Sequence, residues 1–233
     1  MTLTSEASVL PHTNPVFRAL RLVFAVIGIV ALAWIPLRNI DVAEFSTSNY
    51  FSYFTVLSNV LGVVVLLVGA IADPQSRAWQ LVRGAGTLYL VITGIIYAVL
   101  LSNIDVTLND KWINDIMHRY LPLVILLDWV INPPRMRITD RQSMTWLWFP
   151  AVYGVYTLIR GPFVDWYPYP FIDPRTQGYL QMSIGLVVLL LAMVLMSFAV
   201  NAAGRLAQRW RYGGTERRLT ADEIATGESE ELA

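Results

Sequence analysis

The sequence predicts an all-α integral membrane bundle of six transmembrane helices with both termini on the cytoplasmic side, and three observations carry that prediction. Of 233 residues, 55% are hydrophobic and only 15% charged, against about 25% charged in an average soluble domain. Six apolar segments are long enough to cross a hydrocarbon core about 30 Å thick, which takes about 17–25 residues. The basic residues are also unevenly spread. Counted by alternate sides of the six segments, twelve of the 17 lysines and arginines fall on one side, among them Arg18, Arg77, Arg135, Arg137, Arg205 and Arg211. Only Arg38, Lys111, Arg160 and Arg175 fall on the other, and Arg119 lies within a span. Positive residues stay inside, so this bias sets the orientation.

The spans read as Phe17 to Leu37, Tyr50 to Ala72, Trp79 to Leu101, Trp112 to Ile131, Ser143 to Ile159 and Tyr179 to Asn201. Short connections join them, as in one compact antiparallel bundle. The chain thus divides into a polar amino-terminal segment (1–16), a membrane domain (17–201) and a basic, then acidic, cytoplasmic tail (202–233) whose end reads as disordered. Arg18 and Arg21 ahead of an apolar run resemble a signal peptide, but the run continues through Trp34 to Leu37, as in a retained first helix. Cysteine is absent, which removes disulfides, thiolate nucleophiles and Cys-ligated metals from consideration. Nucleic acid is not an expected partner, no cofactor is implied, and the oligomeric state is not readable from the chain.

Polar residues inside membrane helices are costly, so where they cluster they point to a site. On the second span Ser52, Thr55, Ser58, Asn59 and Gly62 share one face, which should point into the bundle. Small and hydroxylated residues also serve simple helix packing, and that reading of Thr55 stays open. The fourth span carries His118, one of two histidines, with Asp115 three residues earlier, close enough to fix a ring tautomer. An interhelical hydrogen-bonding role for His118 is equally open. Pro122 should leave the carbonyl of His118 without its usual amide partner. Arg119 has Asp115 as its natural local partner, in competition with His118. Asp128, deeper on the same helix, reads as structural. With both helices starting at the outer face, Thr55 and His118 lie five and six residues in, about 8–9 Å deep.

The third span brings Tyr89, Thr93 and Tyr97 at four-residue spacing, and the fifth brings Tyr153, Tyr156 and Arg160 to the outer interface. Aromatic belts account for many such tyrosines, while Arg160 could anchor a carboxylate. The stretch Gly161 to Pro174 interleaves Pro162, Pro168, Pro170 and Pro174 with Trp166, Tyr167, Tyr169 and Phe171. Proline stiffness and aromatic preference for the interface predict a rigid outer lid. A single membrane histidine with few carboxylates nearby is not a metal-ligand set.

Several of these pieces resemble the androgen-induced-gene family of integral membrane threonine hydrolases and its bacterial six-helix branch. They are Phe54-Thr55 within YFTVLSN, Asn114 and Met117-His118 followed by Leu121-Pro122, the TGIIY run Thr93 to Tyr97, DWVINPPR from Asp128 to Arg135, and Tyr169-Pro170-Phe171-Ile172. The resemblance covers about Arg18 to Val200. It implies a hydrolase of fatty acyl esters in the bilayer, with Thr55 as nucleophile and His118 as its base, located in a cell inner membrane. The animal members have a second histidine where this chain has Asp115. In such acyl transfer Asp115 would assist His118, and Asn59 or Tyr97 could hold the oxyanion. A non-catalytic accessory protein, or a small-solute transporter using Thr93 and Asp128, is the competing expectation.

Overall fold

The computed structural model describes residues 12–101 and 110–231, with side chains up to Gly213. Most of the expected polar amino-terminal segment therefore lies outside the described residues, as do the side chains of the acidic tail. The described residues are helical, without strands. Helix α1 (Pro15–Arg38) starts where Asn14 accepts the Val16 amide and Pro15 fills the first turn, where no amide is needed. A single turn, α2 (Thr47–Tyr50), is capped by Ser46 and precedes α3 (Phe54–Ile71). Helix α4 (Arg77–Ile96), capped by Ser76, runs on into a π-helical turn, Tyr97–Leu101. Next come α5 (Lys111–Asp115), a second π turn (Ile116–Tyr120) and α6 (Leu121–Ile131), end to end. Helix α7 (Asp140–Ser143) leads through a 3₁₀ turn (Met144–Leu147) into α8 (Trp148–Val164). A second 3₁₀ turn, Pro170–Ile172, precedes α9 (Pro174–Glu231), which breaks at Gly178.

Among the described residues, four helical stretches are long and apolar enough to cross a membrane: Pro15–Arg38, Phe54–Ile71, Arg77–Leu101 and Pro174–Gly213. The other two expected spans are interrupted by π and 3₁₀ turns and do not form unbroken helices of that length. The second expected span also starts later than predicted, at Phe54, because Ser46 opens a separate short turn, Thr47–Tyr50, before it. Beyond Asn201 the backbone stays helical to Glu231, where composition predicts disorder; that stretch has no proline and is rich in helix formers. Large apolar side chains cover the outside of the bundle, including Val23, Val26 and Val30 on α1 and Val187, Leu191 and Leu195 on α9. So continuous an apolar exterior is suited to lipid, and the protein is a membrane protein.

Inside, α1 lies along α3, α3 along α4, and α4 is backed by α6 and α9. Small residues set the spacing. The buried α1 stripe is Arg21, Ala25, Gly28 and Ala31, and a Cβ on Gly28 would stand 2.5 Å from Val63 of α3. Gly204 of α9 meets the indole of Trp129, whose Nε1–H donates to the Val200 carbonyl at 2.9 Å.

One end of the bundle is held by buried charge. Arg21 grips Asp128 with Nε at 2.7 Å and Nη2 at 3.0 Å. Arg83 reaches the same carboxylate at 3.1 Å and the Asn132 carbonyl at 2.8 Å. Asp73, in the α3–α4 connection, accepts the Thr13 amide at 2.8 Å, the Thr13 hydroxyl at 3.0 Å and Arg135 at 3.1 Å. Burial would push the Asp73 carboxyl up, but hydrogen bonds from Thr13 and Arg135 outweigh it and hold it well below the usual carboxylate range.

Two expectations follow. Gly204→Ala drives a methyl into Trp129, with a Cβ only 2.6 Å from Nε1, and should cost about 1–3 kcal/mol of apparent stability. Gly154→Ala, with open space around it, should be neutral or gain up to about 1 kcal/mol. Thermal melts in one detergent compare them. Because the Asp73 pKa is depressed on folding, its contribution is present above the unfolded value of about 3.9 and is lost as pH falls further. Melting midpoints of the wild type should therefore drop below about pH 4, and Asp73→Asn should start lower and flatten that fall.

Candidate functional site

At the opposite end, α3 begins without a side-chain cap of its own, since Tyr53 supplies none. Its first amides are taken by two phenols from elsewhere in the chain. The Phe54 N–H donates to the Tyr153 hydroxyl of α8 at 3.1 Å, and that hydroxyl donates to the Ser52 carbonyl at 2.9 Å. The Thr55 N–H donates to the Tyr169 hydroxyl at 3.2 Å. Tyr169 comes from the proline-rich stretch between α8 and α9, so the expected lid lies directly over the start of α3.

The same arrangement fixes the Thr55 side chain. Its Oγ1 lies 3.3 Å from His118 Nε2 and 3.4 Å from the Tyr169 hydroxyl. His118 Nδ1 lies 3.1 Å from the Asn114 carbonyl, which can only accept. Nδ1 therefore carries the ring hydrogen of the neutral imidazole, leaving Nε2 bare to accept the Thr55 hydroxyl. The polarity runs one way: Tyr169 to Thr55, Thr55 to His118, His118 to backbone.

The two π turns build this geometry. The Leu121 amide reaches back five residues to Ile116, and such wide turns recur at functional sites. The ring of Tyr97, from the first π turn, stacks on His118 from the second, with centroids 4.4 Å apart. Its hydroxyl accepts from Asn114 Nδ2 at 2.6 Å. Gly94 permits the approach, since a Cβ there would lie 3.3 Å from the His118 carbonyl and 3.2 Å from Pro122.

The structure thus brings together Thr55, His118 and Tyr97, and it reassigns three other expected residues. Asp115 does not touch His118: the extra residue in the π turn puts the two on different faces, and Asp115 pairs with Arg119 at 2.8 Å on the surface. Asn59 is no oxyanion donor in this arrangement, because its Nδ2 already donates to the Thr55 carbonyl at 2.8 Å and the Met117 carbonyl at 3.1 Å. It locks α3 to the second π turn, with its Oδ1 buried and without a partner. Arg160 donates to Asn49 Oδ1 at 2.6 Å and lies over the Trp166 ring, bracing two walls of the site without lining it. Spacing rules overlooked Tyr153 and Tyr169 as helix caps. The unfilled cap at Tyr53 was the available signal.

Two cavities meet here. One, of about 690 Å³, is lined by polar groups including Asn49, Asn114, His118 and Tyr50. The other, of about 280 Å³, is apolar and runs between α4, α8 and α9 past Ile92, Pro150 and Leu190. Among the described residues, Thr55, Leu101 and Tyr169 line both. Comparison of the chain with family models, with curated proteins and with solved structures finds no match.

The tautomer is directly measurable. With ring-¹⁵N-labelled protein at neutral pH, His118 should give a protonated Nδ1 and a bare Nε2, and Asp115→Ala should leave that pattern unchanged. A protonated Nε2, or a shift in the pattern with Asp115→Ala, would contradict the geometry.

Proposed function

We propose that this protein is a membrane hydrolase of lipid-type carboxylic esters, with Thr55 as nucleophile and His118 as general base. The observation that carries the reading is the 3.3 Å contact from Thr55 Oγ1 to a His118 Nε2 whose partner nitrogen is already engaged, at a junction of a polar and an apolar cavity. A threonine hydroxyl attacks a carbonyl only when a base takes its proton, and a histidine within hydrogen-bond reach is the usual base. The resemblance of the surrounding motifs to the androgen-induced-gene hydrolases points the same way.

In this reading a fatty acyl chain occupies the apolar cavity and the alcohol portion the polar one, with the ester carbonyl over Thr55. His118 Nε2 accepts the proton as Oγ1 bonds to the carbonyl carbon. As Oγ1 becomes the ester oxygen, the single Tyr169 hydroxyl hydrogen turns from it to the adjacent oxyanion, in place of the Asn59 or Tyr97 donors expected from sequence. His118 returns the proton to the departing alkoxide, leaving an acyl-threonine. Water from the polar cavity, deprotonated by His118, then attacks the acyl carbon, and the proton returns to Thr55 as the fatty acid leaves.

The same proposal places the rods 111–131 and 140–164 across the membrane beside the four longer apolar helices, as a six-span bundle. Its basic end is cytoplasmic and the Thr55 site opens to the outer leaflet of a bacterial inner membrane, by the positive-inside bias.

Labelling of purified wild type by a fluorophosphonate probe tests the assignment. Thr55→Ala should abolish it, His118→Ala should reduce its rate by about 10²–10⁴-fold, and Asp115→Ala should leave it intact. A well-folded wild type that neither labels nor hydrolyses long-chain esters would refute the proposal.

A further inference from the structure

The end opposite the Thr55 site carries a charge imbalance that the hydrolase reading does not use. Arg21 and Arg83, both buried, and the partly buried Arg135 face two carboxylates there, Asp73 and Asp128. Among the described residues this leaves one cation in excess inside a low-dielectric environment, where unpaired charge is costly. The excess is focused on a small cavity. His12, Thr13, Arg83, Arg135, Arg211 and Tyr212 line it, with Asn132 at its base. Its volume of about 30 Å³ is close to that of one water molecule, so it seats one oxygen of a group whose bulk lies at the mouth.

The height of this cavity is set by α9. Arg211 donates to the Ile131 carbonyl at 2.6 Å, which fixes its guanidinium at the mouth. Trp210 and Leu206 stand almost bare on the same turns of the helix. Exposed tryptophan beside arginine is the pattern of a membrane–water interface, so the mouth lies at the level of lipid headgroups. Tyr212 adds a hydroxyl to the guanidinium groups, a donor set suited to phosphate oxygens, while Thr13 gives its hydroxyl hydrogen to Asp73.

We infer that this cavity is a binding site for the phosphate of an anionic phospholipid in the leaflet at the basic end. Arg135 and Arg211 grip the phosphate oxygens and Arg83 supplies charge from below. The lipid completes the ionic lattice between α1, α4, α6 and α9, in the manner of basic pockets between membrane helices. Free phosphate shares the chemistry, but only the lipid is delivered to this depth by the bilayer.

Full-length protein delipidated in a neutral detergent separates these sources. Melting midpoints would be followed as phosphatidylglycerol, phosphatidylcholine or inorganic phosphate is added. Phosphatidylglycerol should raise the midpoint saturably and phosphatidylcholine should not. Arg211→Gln should weaken the effect about fivefold, and Arg211→Glu more, while exposed Arg209→Gln, which removes the same charge outside the cavity, should leave it unchanged. Equal loss with Arg209→Gln, or equal response to phosphatidylcholine, would overturn the site. Stabilisation by inorganic phosphate alone would overturn its assignment to lipid. Fluorophosphonate labelling of Thr55 is read independently, so the two proposals can fail separately.

Discussion

Asp128 ties three helices together with one carboxylate. Arg21 of α1 takes it from one side and Arg83 of α4 from the other, while Asn132 closes on the same group at 3.0 Å from the end of α6. Removing one member of such a buried set leaves a stranded charge, which is why these pairs are far more costly to break than to lack altogether. The lattice at Asp73 extends the hold to the chain entering α1 and to the α6–α7 connection. Helices crossing a bilayer gain little from hydrophobic association, since lipid is as apolar as their neighbours. Directional polar contacts at one end and small-residue packing along α1 therefore carry the arrangement of α1, α3, α4 and α6.

With the lattice around Asp73 and Asp128 at one end, the groups in direct contact with Thr55 at the other are neutral. Around Thr55 the buried partners are hydroxyls, amides, an imidazole and carbonyls, each with a direction imposed by its neighbour. Ser58 illustrates the economy of this end: its hydroxyl donates to the Thr55 carbonyl at 3.0 Å and meets Thr93 at 2.8 Å. Asp115 does not compete for His118, because it is paired with Arg119.

Much of this was legible in the sequence. Hydropathy located the helical segments, and the shared face of Ser52, Thr55, Ser58 and Asn59 gave the inward side of α3 correctly, with Ser58 and Asn59 fully buried. The motif around His118 indicated a residue that does meet Thr55. The π turns were not legible, because periodicity arguments assume a constant turn, and a single wide turn rotated Asp115 away from the ring it was expected to orient. Nor was the role of Asn59, whose amide is consumed by two carbonyls that only tertiary structure brings near. The tyrosine caps of α3 come from about 100 residues further along the chain, beyond the reach of any local rule.

Gly178 sits between the lid and the last long helix with φ at +77°, an angle reserved for glycine, and nothing within 4 Å of where a Cβ would be. Its role is thus purely in the backbone. On one side of it the turn from Pro174 is bound to the lid, with Gln177 donating to the Phe171 carbonyl at 2.7 Å and Thr176 to the Asp173 carbonyl at 3.0 Å. On the other side is the long rod that must match the thickness of the bilayer. Rods of this kind answer a thicker or thinner membrane by tilting. The joint at Gly178 separates the direction of that rod from the turn that holds the lid and Tyr169, so the membrane's thickness reaches the Thr55 site through the side of the rod, where Leu190 walls the apolar cavity.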